Sequence, residues 1–202
     1  SPANLRKDID IIRTLARQTG ATLPLIEQMA VMVGLLHANR GGQPPMQLDL
    51  TGLNAIVTGA SKGIGHATAL TLAREGARVT LVARNANTLA TAAAQIAGET
   101  GSTPDTVAAD LATREGIDRL AQRSGPVDIL VNNAGAIPPG DLQAIDENTW
   151  RTAWDLKVFG YINLTRALAP RIAARKGVIV NIIGAGAESL SPDYICGAVG
   201  NA

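Results

Sequence analysis

From Asp49 onward, short continuous runs of Val, Ile, Leu and Ala alternate with longer stretches whose apolar residues recur every three or four positions. The runs at 54–58, 78–82, 106–109, 129–131 and 178–182 predict strands, and the stretches at 64–75, 86–98, 113–123 and 148–174 predict helices. Strands apolar on both sides belong in a parallel sheet covered by helices on both faces. Right-handed crossovers then make the fold class α/β, a doubly wound, Rossmann-like parallel sheet with its ligand at the carboxyl ends of the strands. The pattern stops at Ala202 as a further helix begins, so the sheet is expected to be incomplete on its C-terminal side.

The first 45 residues read differently. Leu5, Ile9, Ile12 and Leu15 recur at helical spacing, and Thr19-Gly20 ends that helix. A second helix runs over 24–38, with Pro24 in its first turn and Gly41-Gly42 beyond its end. Gln43-Pro44-Pro45 is a stiff linker. The expectation is two domains: a helical hairpin and linker at 1–45, suited to packing or dimerisation, and a Rossmann-like domain at 46–202. The oily stretch 23–36 contains Glu27 and Gln28 and is shorter than the ~20 apolar residues that span a bilayer.

Composition narrows the function classes. Of 202 residues, 46% are hydrophobic but only 2% aromatic, so the core is built from small aliphatic side chains. A net charge of +1 without a basic run points away from nucleic acid and charged membrane surfaces. The single Cys196 cannot form an internal disulfide, which fits a cytoplasmic location. His37 and His66 are isolated and lack metal-ligand spacing, so no metal site is expected.

The chemistry begins at Thr58-Gly59-Ala60-Ser61-Lys62-Gly63-Ile64-Gly65, between the first strand and the first helix. Glycines there permit a tight turn and let a phosphate approach without a Cβ in the way. The helix beyond offers unpaired N–H groups and a positive dipole end. This segment matches the Thr-Gly-x-x-x-Gly-x-Gly loop of the short-chain dehydrogenase/reductase family, which the chain resembles over about 49–202. Asn132-Asn133-Ala134-Gly135 matches that family's Asn-Asn-Ala-Gly motif, and Asp110-Leu111 stands where the family has an Asp that meets the adenine amino group. The resemblance implies a nicotinamide dinucleotide held by Gly59, Ser61, Lys62, Gly63, Ile64, Gly65, Arg84, Asp110, Leu111, Asn133, Ala134 and Gly135. The hairpin faintly resembles the last helices of β-hydroxyacid dehydrogenases, in its Lys7-Asp8 opening and its turn from Gly20 to Pro24.

The second strand ends Leu81-Val82-Ala83-Arg84-Asn85, without the carboxylate that would bond the ribose 2′-hydroxyl of NAD. Arg84 can instead pair with a 2′-phosphate, helped by Lys62. NADP(H) is therefore favoured over NAD(H).

The resemblance also implies a reaction that this sequence does not equip in the usual way. Family members use a Tyr acid/base, a Lys one turn later that lowers its pKa, a Ser that orients the carbonyl, and an Asn on the long helix. Here Tyr194 is followed at the fourth position by Ala198. The alternative register puts Gly197 at the Tyr position and Asn201 at the Lys position. Gly184 falls where the serine belongs, and Lys157 where the Asn is expected. Tyr194, with its ring expected beside Pro192 lining the pocket, and Lys157 are the remaining catalytic candidates. Glu188, Ser189 and Ser191 lie on the loop after the fifth strand without being singled out, and Cys196 is expected to be a structural thiol.

Three readings follow. The first is an NADP(H)-binding oxidoreductase of short-chain dehydrogenase type, acting on a small carbonyl or alcohol with a non-standard active site. The second is a catalytically silent dinucleotide-binding or assembly module. The third is a non-functional fragment, motivated by the hairpin, the missing initiator Met and the ending at Ala202. By the same resemblance a homo-oligomer is expected, packed through the helix at 148–174.

Overall fold

The computed structural model describes residues 48–184 and 191–201. The chain divides between Asp49 and Leu50, and every element below belongs to the second unit. The hairpin and linker expected at 1–45, with His37, lie outside the described residues, as do Glu188 and Ser189.

Five strands form one parallel sheet: β1 (Asn54–Thr58), β2 (Arg78–Ala83), β3 (Asp105–Ala108), β4 (Ile129–Asn132) and β5 (Val178–Asn181), in the order β3-β2-β1-β4-β5. The helices between them are α1 (Gly63–Arg74), α2 (Ala86–Thr100), α3 (Arg114–Arg123), α4 (Glu147–Trp154) and α5 (Gly160–Ala174), followed by α6 (Ile195–Asn201). The doubly wound, Rossmann-like sheet expected from the apolar runs is present. Strand order reverses between β1 and β4, and the crevice at such a switch point is where these sheets take ligands.

The central strands β1 and β4 are almost wholly buried. A core of Ile56, Val82, Val107, Leu120, Leu130 and Leu168 fills the space between the sheet and the helices α3 and α5. Helix starts follow side-chain chemistry. Asn85 accepts from the backbone N–H groups of Asn87 and Thr88 at the start of α2, Thr113 from Gly116 in α3, and Asp146 from Thr149 in α4.

One predicted element is corrected. The single helix expected at 148–174 is α4 and α5 joined by a π-helical turn, Asp155–Phe159. Directly after it, Gly160 packs so tightly that a Cβ there would stand 2.9 Å from the Leu111 carbonyl oxygen. A wide turn inserts one residue into the helical register and so re-aims the side chains it carries, Lys157 among them.

At the opposite end of the sheet, Asp128 ties three elements together. It accepts from the Asn54 backbone N–H at 2.9 Å, from Asn54 Nδ2 at 3.0 Å, and from Arg175 Nε at 2.8 Å. Burial works against its charge, but the bonds from Asn54 and Arg175 outweigh that and hold its carboxyl below the ordinary value.

Candidate dinucleotide site

Thr58 and Asn133 clasp the ends of β1 and β4. The Thr58 hydroxyl donates to the Val131 carbonyl at 3.2 Å and accepts from the backbone N–H groups of Asn133 at 2.8 Å and Ala134 at 3.0 Å. Asn133 Nδ2 returns the contact, donating to the Thr58 carbonyl at 2.9 Å. A Cβ at Gly59 would stand 2.8 Å from that amide nitrogen, and one at Gly65 would run into it and into the Gly59 carbonyl. Those two positions require glycine because backbone and Asn133 already fill the space. Gly63 is different: its φ is +59° and nothing lies within 4 Å of where its Cβ would be, so that side of the turn is open.

Helix α1 begins at this open turn. Its capping residue is Lys62, which supplies no side-chain acceptor, and no acidic residue stands in the first turn. The contrast with the capped starts of α2, α3 and α4 is physical: α1 keeps free N–H groups and a positive dipole end facing the glycine turn. Such a terminus fits a phosphate. Lys62 and Ile64 are exposed beside it, and Ser61 is partly so.

The remaining predicted cofactor residues cluster at the same edge. Arg84, at the end of β2, is exposed. Asp110, after β3, uses Oδ1 to accept from the Ala112 N–H at 3.1 Å, which shapes the turn into α3. The Leu111 side chain is buried in the core, so only its backbone is left for a ligand. Gly135 is exposed, and Lys157 lies against it: a Cβ at 135 would be 2.7 Å from Lys157 Cδ.

Lys157 therefore folds inward to the carboxyl ends of β4 and β5. Its Nζ donates to the Ile182 carbonyl and, at 3.1 Å, to the hydroxyl of Tyr161 one turn along, which itself donates to Ile182 at 3.2 Å. Burial lowers the Lys157 ammonium below its ordinary value and pushes the Tyr161 phenol above its own. Four residues further, Thr165 accepts from Asn132 Nδ2 at 3.2 Å, and the same nitrogen donates to Asn181 Oδ1 at 2.9 Å. Lys157, Tyr161 and Thr165 thus form a polar stripe packed over the ends of β4 and β5.

Tyr194 is held elsewhere. Its backbone bridges Gly140, and its ring lies on α6: a Cβ at Gly197 would collide with Cζ and stand 2.6 Å from the hydroxyl oxygen. Asn201, buried at the end of α6, accepts from the Gly184 N–H at 3.0 Å. Cys196 is buried, and burial raises its thiol above the ordinary value despite an opposing hydrogen bond from Trp154. It has the character of a structural thiol. Among the described residues no cluster of His, Cys, Asp or Glu could hold a metal ion, and no helix is long and apolar enough to cross a membrane.

The family model for short chain dehydrogenases matches residues 53–195. The chain belongs to the short-chain dehydrogenase family. It is 30% identical over 145 residues to 2,3-dihydro-2,3-dihydroxybenzoate dehydrogenase of Bacillus subtilis, covering 70% of this chain and 55% of that protein. It is 35% identical over 153 residues to gluconate 5-dehydrogenase of Gluconobacter oxydans, covering 73% and 59%. The chain thus spans little more than half the length of these relatives. Among solved structures, L-sorbose reductase of Gluconobacter frateurii, complexed with NADPH and L-sorbose, superposes with a TM-score of 0.73 at 34% identity, covering 77% of this chain and 61% of that one. A short-chain dehydrogenase from Shigella flexneri gives the same TM-score at 30% identity, covering 78% and 65%.

Tyr161, Thr165 and Asn181 are structural partners of this site that sequence reasoning passed over, and Thr58 was quoted only as the first residue of the glycine motif. The spacing 157, 161, 165 was the available signal: three polar side chains four apart on a helix that is otherwise apolar toward the sheet.

Proposed function

We propose that this protein is an NADP(H)-binding oxidoreductase that interconverts a carbonyl and an alcohol, using an active site that departs from the family's usual residues. The observation that carries the proposal is the uncapped α1 N-terminus opening onto the unobstructed turn at Gly63. Gly59, Ser61, Lys62, Gly63, Ile64 and Gly65 would hold the pyrophosphate, Asp110 and the Leu111 backbone the adenine side, and Asn133, Ala134 and Gly135 the ribose side. Arg84 favours NADP(H), because an exposed guanidinium suits a 2′-phosphate. The bound dinucleotide supplies or accepts the hydride. The chain's own residues orient it, exclude water and handle the proton.

The departure rests on four positions. Gly184 and Gly197 carry no side chain, Asn201 is engaged with Gly184, and Lys157 replaces an amide with a cation. A catalytically silent binding module is the second reading, favoured by the Tyr194 ring lying against Gly197. We also infer a reducing, cytoplasmic setting from the single buried thiol, and self-association through the outer face of the segment 148–174, where Phe159 of the π-helical turn and Ile162 of α5 are exposed.

NADPH titration followed by assay with L-sorbose and simple ketones tests the proposal. Saturable binding with turnover is expected. Binding without turnover would favour the silent module, and failure to bind NADPH would overturn both readings.

A further inference from the structure

We propose that Lys157 is the proton donor of this site, held in place by Tyr161 and the Ile182 carbonyl, and that its ammonium protonates the oxygen of a ketone substrate. The inference rests on the dinucleotide-binding reading above and assigns a proton-handling residue to it.

The argument begins with the donor count. An ammonium has three N–H donors. Two are used within the chain, on the Ile182 carbonyl and the Tyr161 hydroxyl. The third has no partner among the described residues. Tyr161 cannot serve as the acid in its place, because its own proton is directed to Ile182 and burial disfavours its loss. It is a positioning residue, fixing the amine one helical turn away.

Location supports the assignment. The aliphatic stem of Lys157 lies against Gly135, at the end of the segment that runs from β4 past the Thr58–Asn133 clasp. The amine itself sits beside Ile182, directly after β5. Both points are at the carboxyl ends of strands, the side of a doubly wound sheet that receives ligands. The groups facing the amine are the Tyr161 hydroxyl from its own helix and the Ile182 carbonyl from the end of β5; no carboxylate among the described residues pairs with it. Its burial, with no counter-ion among the described residues, favours release of a proton.

The step balances simply. The ketone carbon gains hydride from the reduced nicotinamide dinucleotide, which is oxidised. The carbonyl π pair moves to oxygen, an N–H bond of Lys157 breaks and an O–H bond forms. The resulting neutral amine recovers its proton from water. In the alcohol-oxidising direction the neutral amine takes the hydroxyl proton.

Two readouts on the full chain test this. In the first, Lys157 is labelled with an amine-reactive reagent across pH and quantified by mass spectrometry, with and without NADPH plus L-sorbose. Labelling should begin below the usual lysine range near ~10.4, should move to a different pH in Tyr161→Phe, and should fall at least about threefold when both ligands are present. In the second, ketone reduction is compared in Lys157→Met and Lys157→Arg. Both should lose about a hundredfold or more in turnover, of the order that general acid catalysis contributes, with NADPH affinity changed by less than about threefold. Arginine keeps the charge but does not release its proton, so substantial activity in Lys157→Arg would overturn proton donation. Turnover within about threefold of wild type in Lys157→Met, or labelling indifferent to both ligands while NADPH binds, would also overturn it. If wild type gives no measurable turnover, the labelling arm decides. If wild type fails to bind NADPH, the underlying dinucleotide reading falls first and is recognised as such.

Discussion

The ring of Tyr194 occupies the space above Gly197, so that a β-carbon on residue 197 would collide with its Cζ and sit 2.6 Å from its hydroxyl oxygen. The two positions are therefore coupled: glycine at 197 is what allows the tyrosine three residues earlier to lie on α6. Placing Tyr at 197, to restore the family's usual acid/base, should fail on steric grounds alone. Gly197→Tyr should lower stability by about 1–3 kcal/mol through overpacking. Adding Tyr194→Ala should recover more than half of that loss in a denaturant titration. Independent, additive effects of the two substitutions would contradict the coupling.

The glycine turn has two kinds of glycine. Gly65→Ala drives a methyl into Asn133 and the Gly59 carbonyl, and should weaken NADPH binding at least tenfold by shifting the β1–β4 clasp. Gly63→Ala meets open space but needs a left-handed backbone, costing about 1–2 kcal/mol in the turn. Its effect on NADPH affinity should be several-fold smaller than that of Gly65→Ala, as fluorescence titration of the two variants would show.

The proposed preference for NADP(H) rests on Arg84. Arg84→Asp exchanges a phosphate-pairing cation for a hydroxyl acceptor, and should weaken NADPH binding by tenfold or more while leaving NADH binding unchanged or improved. Parallel titrations with both cofactors check this, and equal losses would remove the preference for NADP(H).

Asp128 makes stability depend on pH. Its carboxyl lies lower in the folded chain than in the unfolded one, so its stabilisation is fully present above the unfolded value near ~3.9 and is lost as pH falls through the folded value. Arg175 is half exposed, which limits the ion pair to about 1 kcal/mol. Asp128→Asn should be less stable than wild type at neutral pH, and the gap should narrow below about pH 4. Chemical denaturation at several pH values measures it directly.

How much of this was legible in advance depends on the range of the interactions involved. The runs at 54–58 and 129–131 announced buried parallel strands because a strand covered on both faces has no polar alternation to preserve. The glycine turn was legible for a similar reason: residues 59 to 65 are contiguous, and their backbone demands are local. The proposed NADP(H) preference also came from sequence, since it rests on which residue follows β2.

Lys157 marks the boundary. Sequence placed it on the long helix at the family's Asn position, as a catalytic candidate. Its direction was decided by a π-helical turn and by Ile182, twenty-five residues further on. Tyr161 and Thr165 met the ends of β4 and β5 only when that helix was laid across the two strands. The sequence by itself determined the sheet and the glycine turn, and it carries the proposal that the family's serine, tyrosine and lysine are replaced, because each depends on adjacent residues or on residue identity. Only the tertiary structure decided that Asn201 meets Gly184, that Tyr194 covers Gly197, and that a lysine amine faces the strand ends. Asn201 with Gly184 and Lys157 with Ile182 join distant segments, and the Tyr194 ring takes its place by packing geometry, none of which a local pattern of hydrophobic and polar residues encodes.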